Sequence, residues 1–224
     1  MGPRAPRRIQ PGAEAAPRSD PQADLRGAIG EYEPLRLIVV EPGADSALWA
    51  KLIQRYQCLG CRLLLGAQSR HWVRSQRTGD RVPACVQWTS AAWKMAVCDR
   101  WTGWSAEQRA RNLSCVPNNS RLLILPWVRV KGLASTILGH CARQLPDDWQ
   151  RRYGCPPLLL ETLVDAKRFR GTCYRAANWI YVGQTAGRGR MEREHKTHAQ
   201  AIKDIYVYPL VRDARQRLCG DPTR

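Results

Sequence analysis

"SRLLILPWVRVKGLASTIL" (Ser120–Leu138) is the stretch on which the fold turns. Leu122 to Val128 is too apolar to face water and reads as a strand buried on both faces. Pro126 has no N–H to give a ladder, so a bulge or a break in pairing is expected there. Gly132 then supplies a turn. Leu133, Ile137 and Leu138, with Cys141 and Leu145 beyond, fall on one helical stripe. A second apolar run, "PPLLLETLVD" (156–165), follows. Strand, helix and apolar strand in that order form a right-handed parallel crossover.

Working outward, "DDWQRRYG" (147–154) reads as a connection, and "AKRFRGTCYRAANW" (166–179) as a second helix weakened by Gly171. "IYVGQT" and "DIYVYPL" read as two strands added antiparallel. Upstream, "LRLIVV" (35–40) is a first strand, and "DSALWAKLIQRY" (45–56) is a helix capped by Asp45 or Ser46. "CRLLLGAQ" (61–68) and "VPACVQWTSA" (82–91) read as strands joined through the polar "SQRTGDR". One or two short helices follow before Ser120. The class is α+β with a mixed, mostly antiparallel sheet around a parallel central pair. Residues 1–28 lack aromatics and periodicity and are assigned to a disordered basic leader. Residues 29–212 form one domain, and 213–224 a flexible tail.

The chain has 224 residues, 36 Lys and Arg against 19 Asp and Glu, and a formal charge of +17. The excess is not a tail property, because residues 29–179 hold 22 basic against 11 acidic side chains. A folded body of that sign attracts polyanions, so nucleic acid is the expected partner. No apolar run approaches the ~20 residues of a membrane span, and residues 1–28 do not form an export signal. Nine cysteines, odd in number and scattered, then read as reduced cytoplasmic thiols. Cys58 and Cys61 form a single CxxC with no second pair, so no metal site is expected. The eleven acids of the body show no spacing that recommends a metal-dependent nuclease triad.

"RVKGLA" (Arg129, Val130, Lys131, Gly132, Leu133, Ala134) carries the chemistry. The first N–H groups of a helix have no internal partner and hold the positive end of its dipole. With Gly132 for close approach and two cations beside it, this junction can hold a pyrophosphate. Taken alone, the same pattern is a plain strand–helix turn.

That hexapeptide resembles the Arg/Gln-x-x-Gly-x-Gly/Ala pattern of the Gcn5-related N-acetyltransferases, which holds the pyrophosphate of acyl-coenzyme A. About forty residues on, "YRAANWIYVG" is similar to a second pattern of that superfamily: Tyr174 stands at its tyrosine, Asn178 and Trp179 replace its Gly-Phe, and Val182 and Gly183 stand at its next strand. The resemblance implies an acyltransferase-like core whose parallel strands splay at their C-terminal ends, with acyl-CoA as the cofactor. It also implies that Tyr174 protonates the departing coenzyme thiolate. A longer resemblance runs from Leu35 to Leu210, through "SAAWKMAVCDRWTGWS", "NNSRLLILPWVRVKGLAS", "DDWQRRYG", "LLLETLVDAKRFRGTCYRAANW" and "VGQTAGRGR". These strings are similar to the bacterial family of DruA, from the Druantia anti-phage system, whose relatives also occur near insertion elements. It implies anti-phage defence or mobile-element biology, with other defence or transposition proteins as partners and no particular reaction.

Each site has two readings. Tyr174 is a proton donor or a buried aromatic beside Trp179. Glu161 is a general base or, with Asp165, a salt-bridge partner of Arg168, Arg170 or Arg175. Arg188, Arg190 and Arg193, in and after "GRGR", clamp phosphates or line a solvated loop. Most of the nine tryptophans are expected in the core, with Trp101 or Trp104 exposed for base stacking. The leading functional expectation is nucleic-acid binding on an acyltransferase-like scaffold. The alternative is an active N-acyltransferase acting on a nucleic acid, an amine or a protein.

Overall fold

The computed structural model describes residues 19–57, 66–78, 81–186 and 201–220. Nine strands are placed: β1 (Leu25–Ala28), β2 (Leu35–Val39), β3 (Gln68–Ser75), β4 (Ala84–Ser90), β5 (Pro117–Ile124), β6 (Val128–Lys131), β7 (Leu159–Asp165), β8 (Ile180–Gln184) and β9 (Lys203–Pro209). The helices are α1 (Ala44–Tyr56), α2 (Ala96–Thr102), α3 (Ala106–Asn112), α4 (Leu133–Tyr153), α5 (Thr172–Ala176) and α6 (Ala214–Cys219). Seven strands form one sheet in the order β2-β3-β4-β5-β7-β9-β8. Every neighbouring pair is antiparallel except β5 and β7.

The parallel crossover stands where the apolar runs placed it. β5 and β7 pair only at Asn118↔Glu161 and Asn119↔Thr162, although β5 runs on to Ile124 and β7 to Asp165. The strands therefore part towards their C-terminal ends. β5 is not buried on both faces: Asn119, Arg121 and Leu123 are buried and the residues between them only half so. Pro126 does break the run. Val128 N–H donates to Leu125 O at 2.9 Å to close a turn, and β6 leaves the main sheet to pair in parallel with β1.

α4 and α5 cover the face bearing Trp88, Thr162 and Tyr206. Leu133, Ile137, Leu138, Cys141 and Leu145 are all buried there, as their stripe required. α2 and α6 cover the opposite face, against Leu159, Ile205 and Val207. Four expectations need correction. The "DDWQRRYG" connection is the last two turns of α4, which runs through Pro146 to Tyr153. Trp149 is buried and packs on Tyr153 at 4.7 Å between rings, which offsets the hydrogen bond the proline removes. β3 is the polar "QSRHWVRS" rather than "CRLLLGAQ", most of which lies outside the described residues. Residues 19–28 are not a loose leader, because β1 is anchored through Leu25 N–H to Trp127 O at 2.8 Å; residues 1–18 lie outside the described set. The tail contains α6, whose Leu218 is fully buried.

Gly171 opens α5 with a left-handed φ of 63°. A Cβ there would lie 2.6 Å from Tyr206 Cζ. Gly171→Ala combines a strained backbone with a collision against a buried ring, and it is expected to destabilise by about 2 kcal/mol. Urea unfolding reads this directly; an unchanged midpoint would mean that the Tyr206 ring swings away at no cost.

Candidate active site

The two strands separate just past Asn119 and Thr162, and the candidate catalytic groups stand at that vertex. On the α5 side, Tyr174 Oη donates to Asn119 Oδ1 at 2.8 Å and lies 3.3 Å from Thr162 Oγ1. Thr162 Oγ1 in turn donates to Asn119 O at 3.0 Å. Trp179 packs edge-on against Tyr174 and stacks with Trp88. Burial pushes the Tyr174 phenol well above its ordinary range, so it keeps its proton. Tyr174 is thus the buried aromatic beside Trp179, with its hydroxyl bonded at the vertex.

Glu161 precedes Thr162 on β7 and so points to the opposite face. It is 3% exposed. Cys98 Sγ donates to Oε2 at 3.5 Å, and Ala92 N–H to Oε1 at 3.4 Å. Among the described residues no salt bridge joins Glu161 to Arg168, Arg170 or Arg175. Burial lifts this carboxyl to about 7, partly countered by those two donors. Asn118, paired with Glu161 across the ladder, shares its face, and Asn118 Oδ1 is buried without a hydrogen-bond partner among the described residues. The vertex thus carries a protonated hydroxyl on one face, and on the other a carboxyl poised near neutrality beside an orphaned acceptor.

The anion junction lies downstream of β5. Arg129 and Lys131 are exposed on β6, with half-buried Val130 between them. Gly132 caps α4 with a φ of 85°. Leu133 is buried as an anchor, and Ala134 is half-buried. Thr136 N–H makes the first intrahelical bond, to Gly132 O at 3.0 Å. The amides of residues 133–135 therefore have no partner within the helix. The first turn contains no acid. That donor set, uniformly positive and lacking a bulky side chain at Gly132, fits a pyrophosphate. A Cβ on Gly132 would meet Ile29 Cγ2 at 3.2 Å, so the glycine is fixed by its φ and by the β1 segment rather than by ligand approach.

Arg188, Arg190, Arg193, Cys58 and Cys61 lie outside the described residues. Among the described residues no group of three His, Cys, Asp or Glu could hold a metal ion. No described helix is long and apolar enough to cross a membrane. Trp104 is buried and donates to Asp99 Oδ1 at 2.8 Å, and Trp101 lies under Arg215. The exposed tryptophan is Trp93, at 63%. Two features escaped the sequence. Phe169 is 54% exposed within "KRFR", where Lys167, Arg168 and Arg170 are exposed too. His71, buried on β3, meets Asp148 of α4 at 3.2 Å and Ser69 at 3.5 Å. Both partners approach Nε2, whereas a nucleophilic relay needs the base and the orienting acid on different nitrogens. Burial lowers the His71 pKa, which makes it a neutral structural bridge.

A protein-family model described as Druantia protein DruA matches residues 7–200. A search of curated proteins gives no match. Among solved structures, the spermidine/spermine N-acetyltransferase SpeG from Vibrio cholerae shares 10% identity with a TM-score of 0.50, over 82% of this chain and 95% of that one. A chimera of Vibrio cholerae SpeG and hSSAT gives the same identity and TM-score, over 79% of this chain and 95% of that one. The likeness is one of fold, a mostly antiparallel sheet with one splayed parallel pair, shared with these N-acetyltransferases.

Proposed function

This chain belongs to the Druantia protein DruA family, and on that premise we propose that it serves anti-phage defence as an acyl-CoA-dependent N-acyltransferase. One observation supports the reading: β5 and β7 part after two paired residues, with an acid-free basic helix start downstream of the splay. Arg129, Lys131 and the amides of residues 133–135 would hold the pyrophosphate. Acyl-CoA, when bound, would supply the activated acyl group. Glu161 would take the proton of an incoming ammonium, since a carboxyl near 7 is half ionised at neutral pH. Tyr174 Oη would hold its proton on the other face. Asn119 and Thr162 fix the position of that hydroxyl. Titration calorimetry with acetyl-coenzyme A tests the reading. Saturable heat that falls as salt rises is expected, and no heat at millimolar ligand would end it.

A second reading, nucleic-acid binding through the basic body, is favoured by the net charge of +17 and by Phe169 standing exposed among three cations. An aromatic interleaved with cations suits single strands, whose bases stack while phosphates pair. Arg188, Arg190 and Arg193 belong to the same reading. Phe169→Ala should weaken single-strand binding by about 1–3 kcal/mol without altering its salt dependence. Lys167→Ala should instead flatten the slope of log affinity against log salt by about 0.7. Fluorescence anisotropy at several salt concentrations separates the two. Equal effects of both variants on slope would remove the stacking role.

A further inference from the structure

A cavity of about 110 Å³ lies between α1, β3 and the residue that follows β5, and no residue of the vertex lines it. Leu48 and Leu52, one turn apart on α1, line it together with Val82 and Leu125. Leu52, Val82 and Leu125 are buried, and this part of the lining offers water no polar partner. The rest of the lining is polar: Gln22, Arg74 and Arg81, with both arginines half-buried. Arg81 is held by neutral acceptors, since Nε donates to Gln22 Oε1 at 3.3 Å and Nη2 to Ala23 O. The acids of that same segment are committed elsewhere, Asp20 to Arg55 and Asp24 to Arg26. Arg36 stands directly opposite Arg74 across the β2–β3 ladder. Among the described residues no acid lines the cavity.

The geometry points to a binding site for a short monocarboxylate, with its alkyl chain among Leu48, Leu52, Val82 and Leu125 and its anionic head at Arg74 and Arg81. Each part of the ligand answers a part of the lining. An apolar wall gains from every methylene it takes out of water. A guanidinium pairs a carboxylate through parallel N–H donors, and partial burial strengthens that attraction over its value in open water. A cationic head would meet like charge at the same place. The length of the chain follows from the volume. An apolar cavity of about 150 Å³ holds benzene, so one of about 110 Å³ suits a chain of about four carbons. The site binds its ligand without any covalent step. It does not rest on the acyltransferase reading, because neither the vertex nor the anion junction contributes a residue to it.

The test uses the full chain and a short series of probes. Pentanoate has the chain and an anionic head, pentylamine the chain and a cationic head, and acetate the head alone. Methyl NMR titrations read all of them. Pentanoate should shift the methyls of Leu48, Leu52, Val82 and Leu125. It should bind roughly fiftyfold more tightly than acetate, since each further buried methylene gives about fourfold. Pentylamine should leave those methyls in place. Arg81→Gln and, separately, Arg74→Gln should each weaken pentanoate about tenfold. Arg74→Gln keeps the contacts of Arg81 with Gln22 and Ala23, so it serves where loss of Arg81 disturbs the entry to β1, and the probe series itself needs no variant. Methyls that pentanoate does not move, or that pentylamine moves equally, overturn the inference. So does wild-type affinity for pentanoate in both glutamine variants.

Discussion

Glu161→Gln is expected to abolish acyl transfer and, above pH 7, to make the protein more stable. Removing a general base lowers turnover by about 10²–10⁴-fold, read as release of free coenzyme thiol in the presence of an amine. The stability gain follows from the carboxyl's surroundings. Its pKa rises from 4.5 to about 7 on folding because burial penalises the anion. Below pH 4.5 both states are protonated and the native fold carries no penalty. As the pH rises from 4.5 to 7, the unfolded chain loses the proton first and stability falls. Above 7 the buried anion costs about 3 kcal/mol, at roughly 1.4 kcal/mol per pKa unit. Glutamine has no such proton, so the variant's advantage should be near zero at pH 4 and fully developed at pH 8. Thermal melts across that range give the profile. A purely structural Glu161, held by Cys98 and Ala92, would make the variant less stable at every pH.

Such a conflict between stability and chemistry marks sites where a group is held for its reactivity. Tyr174 does not share it. Its hydroxyl is bonded to Asn119 and Thr162, so the packing that fixes its position also satisfies it. Burial raises the pKa of both groups, but only at Glu161 does that bring the titration to neutrality. The two groups stand on opposite faces of one vertex because Glu161 and Thr162, the partner of Tyr174, are successive residues of β7.

The parallel pair was legible because two apolar runs flank a glycine at a strand–helix turn, and few folds accept that order. The length of α4 was not, because the charged "DDWQRRYG" resembles a connection until Trp149 and Tyr153 are seen to pack within it. β3 was misplaced for a related reason. Ser69, His71 and Ser75 are buried polar residues, and their partners lie on α4 and in the segment before β2. Local hydropathy carries no trace of them. Tyr174 and Glu161 were both legible as candidates, yet their placement on opposite faces of one vertex depends on the register Asn118↔Glu161, a property of pairing rather than composition. His71 and Asp148 are 77 residues apart, and nothing in either neighbourhood points to the other.

Arg129→Ala combined with Lys131→Ala is expected to weaken acetyl-coenzyme A binding by about a hundredfold while leaving the melting temperature unchanged. Both side chains are exposed on β6, so neither supports the core. Gly132→Glu would be the more obvious way to repel an anion, but it confounds two effects. Gly132 has a φ of 85° and would place a Cβ 3.2 Å from Ile29 Cγ2, so lost binding could reflect a displaced helix start. The alanine pair avoids this. A charge-assisted contact to phosphate is worth about 1.5 kcal/mol or more, roughly tenfold in affinity, and two of them give the hundredfold. The loss should disappear with a fragment that carries no phosphate: pantetheine, which lacks the pyrophosphate, should bind wild type and variant alike. Single-stranded nucleic acid supplies the opposite control. If the pair serves the coenzyme, the variant keeps its affinity for oligonucleotides, and Lys167 and Phe169 remain the groups that govern it. If oligonucleotide binding falls with a flatter salt slope and coenzyme binding does not, the basic helix start belongs to a nucleic-acid surface and the acyltransferase reading loses its anchor.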